Sequence, residues 1–97
     1  MNIKELKEKF ENENINSFSY NFEYEYLREG YFLLKDDLGW EVFYQERGEK
    51  SKHRWFELES DACEYLGYLV FSGELVNKGQ NAASWSEFKE TGCYVAS

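Results

Sequence analysis

The chain has 97 residues, 20% of them aromatic, and a formal net charge of −8 at neutral pH. That length builds one domain with a single core, and the acid surplus rules against phosphate recognition, which draws on clustered lysine and arginine. Eight tyrosines exceed what a small core encloses with satisfied hydroxyls, so several belong at the rim, where tyrosine suits partner contacts.

In chain order, the spacing of Ile3, Leu6 and Phe10 predicts an amphipathic helix over residues 2–12. Asn2 followed by Glu5 has the form of a capping box, and Asn12-Glu13-Asn14 is the expected stop. From Ser17 to Tyr26 the period changes to two. Phe18, Tyr20, Phe22, Tyr24 and Tyr26 alternate with polar residues, as in a half-buried strand. The first half is read as strand; for the second half, strand and irregular loop both stay open.

Arg28-Glu29-Gly30 reads as a turn, Tyr31 to Lys35 as a strand, and Asp36 to Gly39 as a hairpin turn. Trp40 to Gln45 should return antiparallel with Trp40, Val42 and Tyr44 on one face. A second turn is expected over Glu46 to Lys50, with Gly48 free to take positive φ, then a strand from Lys52 to Leu58 with Phe56 and Leu58 facing the core. Ser60 is the expected N-cap of a second helix. Its apolar stripe is Ala62, Tyr65, Leu66, Leu69 and Val70, and Ser72-Gly73 is its expected end. Residues 78–84 read as loop, Ser84 to Glu87 as a capping box opening a short helix over 85–90, and Thr91 to Ser97 as a tail.

The expected fold class is therefore α+β. An antiparallel β-meander of about four strands carries an N-terminal helix and a second helix on one face, in order α-β-β-β-β-α. One domain spans 1–97, with its core in 2–73 and a C-terminal extension over 74–97.

Little in the chain has the makings of catalysis. His53, the only histidine, lies in the basic run Lys50 to Arg54 and reads as an exposed side chain. Cys63 opens the second helix at core spacing from Leu66 and Val70, and reads as a small core residue ahead of a reactive thiol. The spacing leaves a Cys63–Cys93 disulfide open, although two cysteines make no secreted framework. No metal-ligand or phosphate-loop spacing occurs, so neither cofactor nor metal is expected, and no enzyme activity. The N-terminal residues lack a signal-peptide apolar run, and the longest apolar window, Tyr65 to Phe71, is too short for a membrane span. A cytoplasmic location without membrane contact is the expectation.

Interaction is the better prospect. Glu23, Tyr24, Glu25 and Tyr26 set acid beside aromatic, and Asp36, Asp37 and Glu41 add carboxylates. Aromatic anchors supply interface energy while charges steer, so these seven residues are the candidate partner-binding patch. A core role for the tyrosines and plain solvation of the acids would explain the same residues. The Glu46 to Lys50 turn reads as a structural hairpin, with Glu and Arg paired across it, ahead of a recognition loop.

The segment Trp40, Glu41, Val42, Phe43, Tyr44, then Glu46, Arg47, Gly48 and Lys50, is followed by Phe56, Glu59, Ala62, Cys63, Tyr65 and Leu66. It resembles the W-E-V-(Y/F)-Y-x-E-R-G-x-K and A-C-x-Y-L pattern of small immunity proteins from bacterial contact-dependent growth inhibition and related polymorphic-toxin systems. The resemblance covers roughly a third of the chain strongly. It implies a protein that binds and neutralises a cognate toxin domain, in such systems often a basic nuclease and in some a tRNase. It also implies a monomer in a 1:1 complex. The acidity fits steering toward such a partner and equally fits solubility alone. Two other readings are an acidic nucleic-acid mimic blocking a host or phage nuclease, and a small ligand-binding module on the Tyr/Trp-rich sheet.

Overall fold

The computed structural model describes residues 1–96, apart from the side chain of Lys52. Helix α1 (Ile3–Asn12) begins as the sequence leads one to expect: the Asn2 carboxamide oxygen accepts the Glu5 amide at 2.9 Å. The Glu59 carboxylate accepts the amide of Ile3 at 3.1 Å, which ties the start of α1 to the start of the second helix. Leu6 and Phe10 are buried, and Asn14 at φ 58° turns the chain out of the helix.

A 3₁₀ turn over Ser17–Ser19 leads into β1, which is only Tyr20–Asn21. Strands β2 (Gly30–Asp36), β3 (Gly39–Glu46) and β4 (Glu49–Phe56) follow. The sheet order is β1-β2-β3-β4, antiparallel except that β1 pairs parallel with β2. The sheet is thus mixed, where an antiparallel meander was expected, and of the two readings left open for the stretch up to Tyr26 the irregular loop is the one found. Tyr20 and Phe22 pack toward Phe10 and α1, whereas Tyr24 lies against Phe32 on the opposite face. The segment beyond Asn21 finds hydrogen bonds elsewhere. Gln45 Nε2 approaches the carbonyls of Glu25, Tyr26 and Arg28 at 3.0, 3.0 and 2.9 Å. A side chain here does what a strand ladder would otherwise do.

Turn chemistry sets the next register. Arg47 and Gly48 both have positive φ, 52° and 80°, the combination that joins right-twisted strands through a two-residue loop. Glu46 therefore faces Glu49 directly, and β4 starts three residues earlier than Lys52. The ion pairs among the described residues are Glu25–Arg28 and Glu41–Lys50, and Glu41 also meets His53 at 3.2 Å, a pair that is ionic only when the imidazole carries a proton. The hairpin is consequently held by backbone geometry, not by the expected Glu–Arg pair. At the other hairpin Gly39 is required twice over. Its φ is 141°, and a Cβ would collide with the Phe56 carbonyl oxygen.

Helix α2 (Glu59–Asn77) crosses one face of the sheet. Its buried positions occupy well over half its circumference, because the sheet, α1 and α3 (Trp85–Thr91) all pack on it. The core joins Leu6 and Phe10 to Leu33, Val42, Ala62, Cys63, Leu66 and Val70. The stripe expected for α2 is as observed, but its ends differ. The cap is Leu58, whose side chain makes no capping bond, and the helix runs through Ser72-Gly73 to Asn77. Tertiary contact on several sides carries α2 past a glycine that costs only about 1 kcal/mol relative to alanine. Leu58, expected in the core, is exposed because the chain leaves the sheet after Phe56.

The Ser84 hydroxyl caps α3 by accepting the Glu87 amide at 3.2 Å. Phe88 and Ala83 are buried, Tyr68 Oη donates to the Ala83 carbonyl at 2.7 Å, and Ala82 bridges Val95. The last residues are thereby fastened to α2. Cys63 is buried and Cys93 exposed, both as free thiols. No helix among the described residues is long and apolar enough to cross a membrane.

Candidate functional site

Alternation along the strands divides the sheet residues between two faces. Tyr31, Leu33, Trp40, Val42 and Phe56 turn toward α2. The opposite face carries Phe32, Leu34, Glu41, Phe43, Gln45, Lys50, His53 and Trp55. What lies over that face is the loop from Phe22 to Glu29, clipped in place by Gln45. It covers only the end of the sheet near Gly30.

Along this face runs a file of rings. Tyr24 lies 5.8 Å from Phe32, Phe32 stacks on Phe43 at 5.1 Å, Phe43 meets His53 at 5.6 Å, and His53 meets Trp55 at 4.1 Å. Phe32 and Phe43 are fully enclosed, whereas Trp55 is 52% exposed. The inner rings therefore act as a rigid base and Trp55 as the available surface. Trp55 Nε1 donates to Asp36 Oδ2 at 3.0 Å, which fixes the indole's orientation. The same bond, with the Leu38 and Gly39 amides, holds the Asp36 carboxyl below the usual carboxylate range.

Glu41 sits in the middle of the face with its side chain largely enclosed. Its carboxylate meets Lys50 Nζ at 3.5 Å and His53 Nε2 at 3.2 Å. Lys50 in turn lies 4.4 Å from the Phe43 ring and 5.6 Å from the Tyr24 ring. A carboxylate shared between two basic groups within an aromatic shell is a positioned anchor, its charge already partnered.

The seven residues expected to form one patch are distributed over this face and its two ends. Tyr24 is on the face, with exposed Tyr26 and Leu27 following in the covering loop. Glu23 and Glu25 are exposed in the same loop, and Glu25 reaches Arg28 at 3.8 Å. Asp36 and Asp37 belong to the β2–β3 turn with Leu38, which is 83% exposed. At ~3.3 Å per residue the two acidic ends stand about 20 Å apart. Glu41 lies between them and is committed to Lys50 and His53. The patch is thus a strip with acid at both ends and aromatic surface between.

His53 and Trp55, central to the strip, are absent from the sequence-level patch. His53 is exposed, as expected from its basic run, and it also meets Glu41 at 3.2 Å and packs at a tilt against Trp55. Alternation counted back from core-facing Phe56 sets both His53 and Trp55 on the open face, and the bulge in β4 then brings Lys50 onto that same face. Among the described residues no three histidines, cysteines or carboxylates converge as metal ligands.

Comparison with models of protein families, with curated proteins and with solved structures finds no match.

Proposed function

We propose that this protein is an immunity protein, a binding inhibitor that docks a basic toxin domain on the sheet face opposite α2. The observation that carries the reading is the half-exposed Trp55, oriented by Asp36 and packed at a tilt on His53, on a face that no helix among the described residues covers. Interfaces concentrate their energy in rigid aromatic anchors of this kind, ringed by polar groups. Exposed Tyr24, Tyr26, Leu27 and Leu38 extend the apolar surface toward both ends of the strip. The carboxylates at those ends and the net charge of −8 suit a cationic partner.

The resemblance of Trp40 to Leu66 to immunity proteins supplies the partner class, a cognate toxin domain and by preference a nuclease or tRNase. Inhibition would follow from covering the toxin's active site or from obstructing its substrate beside it. The complex is proposed as 1:1 and cytoplasmic, where such a toxin would act. The nucleic-acid-mimic reading is less favoured, because Lys50 and His53 interrupt the carboxylates where a duplex-like row would need them unbroken.

The test is co-expression with the toxin-like reading frame encoded next to it. Growth rescue and a co-purified complex are expected. Trp55→Ala should weaken that complex by about 2 kcal/mol, roughly 30-fold in Kd, while leaving the unfolding midpoint little changed. Growth arrest with both chains soluble and no complex would remove the pairing. Rescue with a Trp55→Ala affinity equal to the parent's would move the interface elsewhere.

A further inference from the structure

A concave feature lies on the α2 side of the sheet, beside the C-terminal half of the helix. It is a cleft of about 630 Å³, a size suited to a small ligand. Tyr31 and Tyr44, cross-strand partners with ring centroids 4.9 Å apart, line it together with Tyr68 of α2. The Tyr31 hydroxyl reaches the helix, standing 3.9 Å from where a Cβ on Gly73 would be.

The charge in this cleft is of one sign. Among the described residues Glu29 and Glu74 line it and no lysine or arginine does, the Arg28 guanidinium lying against the lining ring of Phe18 at 5.1 Å. Glu29 is also near enough to Tyr44 to add to the raising of its phenol above the ordinary range, after burial, Glu46 and Tyr31. Ser72, only 8% exposed, lines the same cleft; its hydroxyl proton lies toward the Tyr68 phenol, which burial raises and this contact helps to hold down, while no donor reaches its oxygen. The hydroxyl of neighbouring Tyr68 gives its own proton to the Ala83 carbonyl. Buried hydroxyls are ordinarily satisfied, so one whose acceptor side is unfilled in an acidic, ring-lined cleft points to a ligand that brings donors.

We propose that this cleft binds a guanidinium-bearing ligand, with the tyrosine rings stacking on its plane and Glu29, Glu74 and Ser72 accepting its N–H groups. The guanidinium is flat, weakly hydrated and rich in donors, which suits aromatic walls better than a compact, strongly hydrated ammonium. The group can arrive on a free small molecule or as an arginine of a bound protein, and the chemistry is shared. The cleft opens on the opposite side of the sheet from Trp55, so this site stands independently of the proposed toxin interface.

The test uses the isolated full chain. Backbone amide NMR spectra would be titrated with agmatine, with N-acetylarginine N-methylamide, and with the uncharged citrulline analogue of the latter. Saturable shifts at Gly30, Tyr31, Tyr44, Ser72 and Gly73 are expected with the cations and not with citrulline. Tighter binding of agmatine would assign a free ligand, and tighter binding of the blocked arginine a protein side chain. The Glu29→Gln/Glu74→Gln double variant should raise Kd about tenfold or more, equivalent to ~1.4 kcal/mol. These two side chains are not in the core, so an otherwise unchanged spectrum would show the variant folded. The proposal is overturned if neither cation shifts those amides, if citrulline shifts them equally, or if the folded double variant keeps its affinity.

Discussion

Gln45 carries more of the local architecture than its polar character suggests. It is 1% exposed, and its amide nitrogen approaches three carbonyls of a loop that has no ladder of its own. Replacing it by an apolar residue of similar size leaves those carbonyls to find water or go unsatisfied. Gln45→Leu should therefore cost about 2–3 kcal/mol in urea denaturation and speed proteolysis between residues 22 and 29. Cys63 is a second informative residue. Burial, reinforced by the Glu59 carboxylate, pushes its thiol from 9.0 to about 11. An unfolded chain releases that proton more readily, so stability falls as pH rises from about 9 toward 11. Cys63→Ala should remove a component of that decline on the order of 2 kcal/mol, read as the difference between the two stability–pH curves. The buried tyrosines with raised phenols contribute to both curves alike.

At the scale of elements, α2 shows how packing outweighs local signals. The helix starts without a side-chain cap because Leu58 occupies the capping position, and it passes through Gly73 because the sheet, α1 and α3 surround it. Leu58 is 60% exposed, so it contributes little there. Leu58→Ser should stabilise the protein by about 1 kcal/mol, seen as a higher urea midpoint with an unchanged slope. An unchanged midpoint would mean that a hydroxyl at this position does not reach the first-turn amides. The β3–β4 turn makes the complementary point. Glu46 and Glu49 face each other with like charge, an arrangement that opposes pairing, and the Arg47–Gly48 conformation dictates the register regardless.

For the whole molecule, the relevant quantities are the field and the two faces of the sheet. Glu23 and Glu25 are exposed at one end of the aromatic strip. Reversing both to lysine changes the net charge by four, from −8 to −4. The double variant should slow association with a basic partner about tenfold at low salt, flatten the dependence on ionic strength, and shift unfolding by no more than about 0.5 kcal/mol. Unchanged association kinetics would assign those carboxylates to solubility. Loss of Trp55 should instead appear in the dissociation rate, since short-range packing acts after encounter. Reading both rates in one experiment separates steering from anchoring.

Periodicity and caps sufficed for the α+β class, for α1 with its Asn2 cap, for the β2–β3 hairpin and for the apolar stripe of α2. In each of these the hydrophobic spacing and the local backbone bonds agree. They did not suffice for the segment after Asn21. Five aromatics at period two describe a strand only if a partner edge is available, and Gln45, more than fifteen residues away, satisfies that backbone instead. The candidate strip was half legible, because acid beside tyrosine is visible in a line of text. The placement of His53 and Trp55 beside Glu41 depends on a turn type and a bulge. The sequence by itself determined composition, periodicity and charge, which are sums over near neighbours. Only the tertiary structure decided which face lies open, which carboxylates are already partnered, and where a cleft remains, because those follow from contacts between residues far apart in the chain.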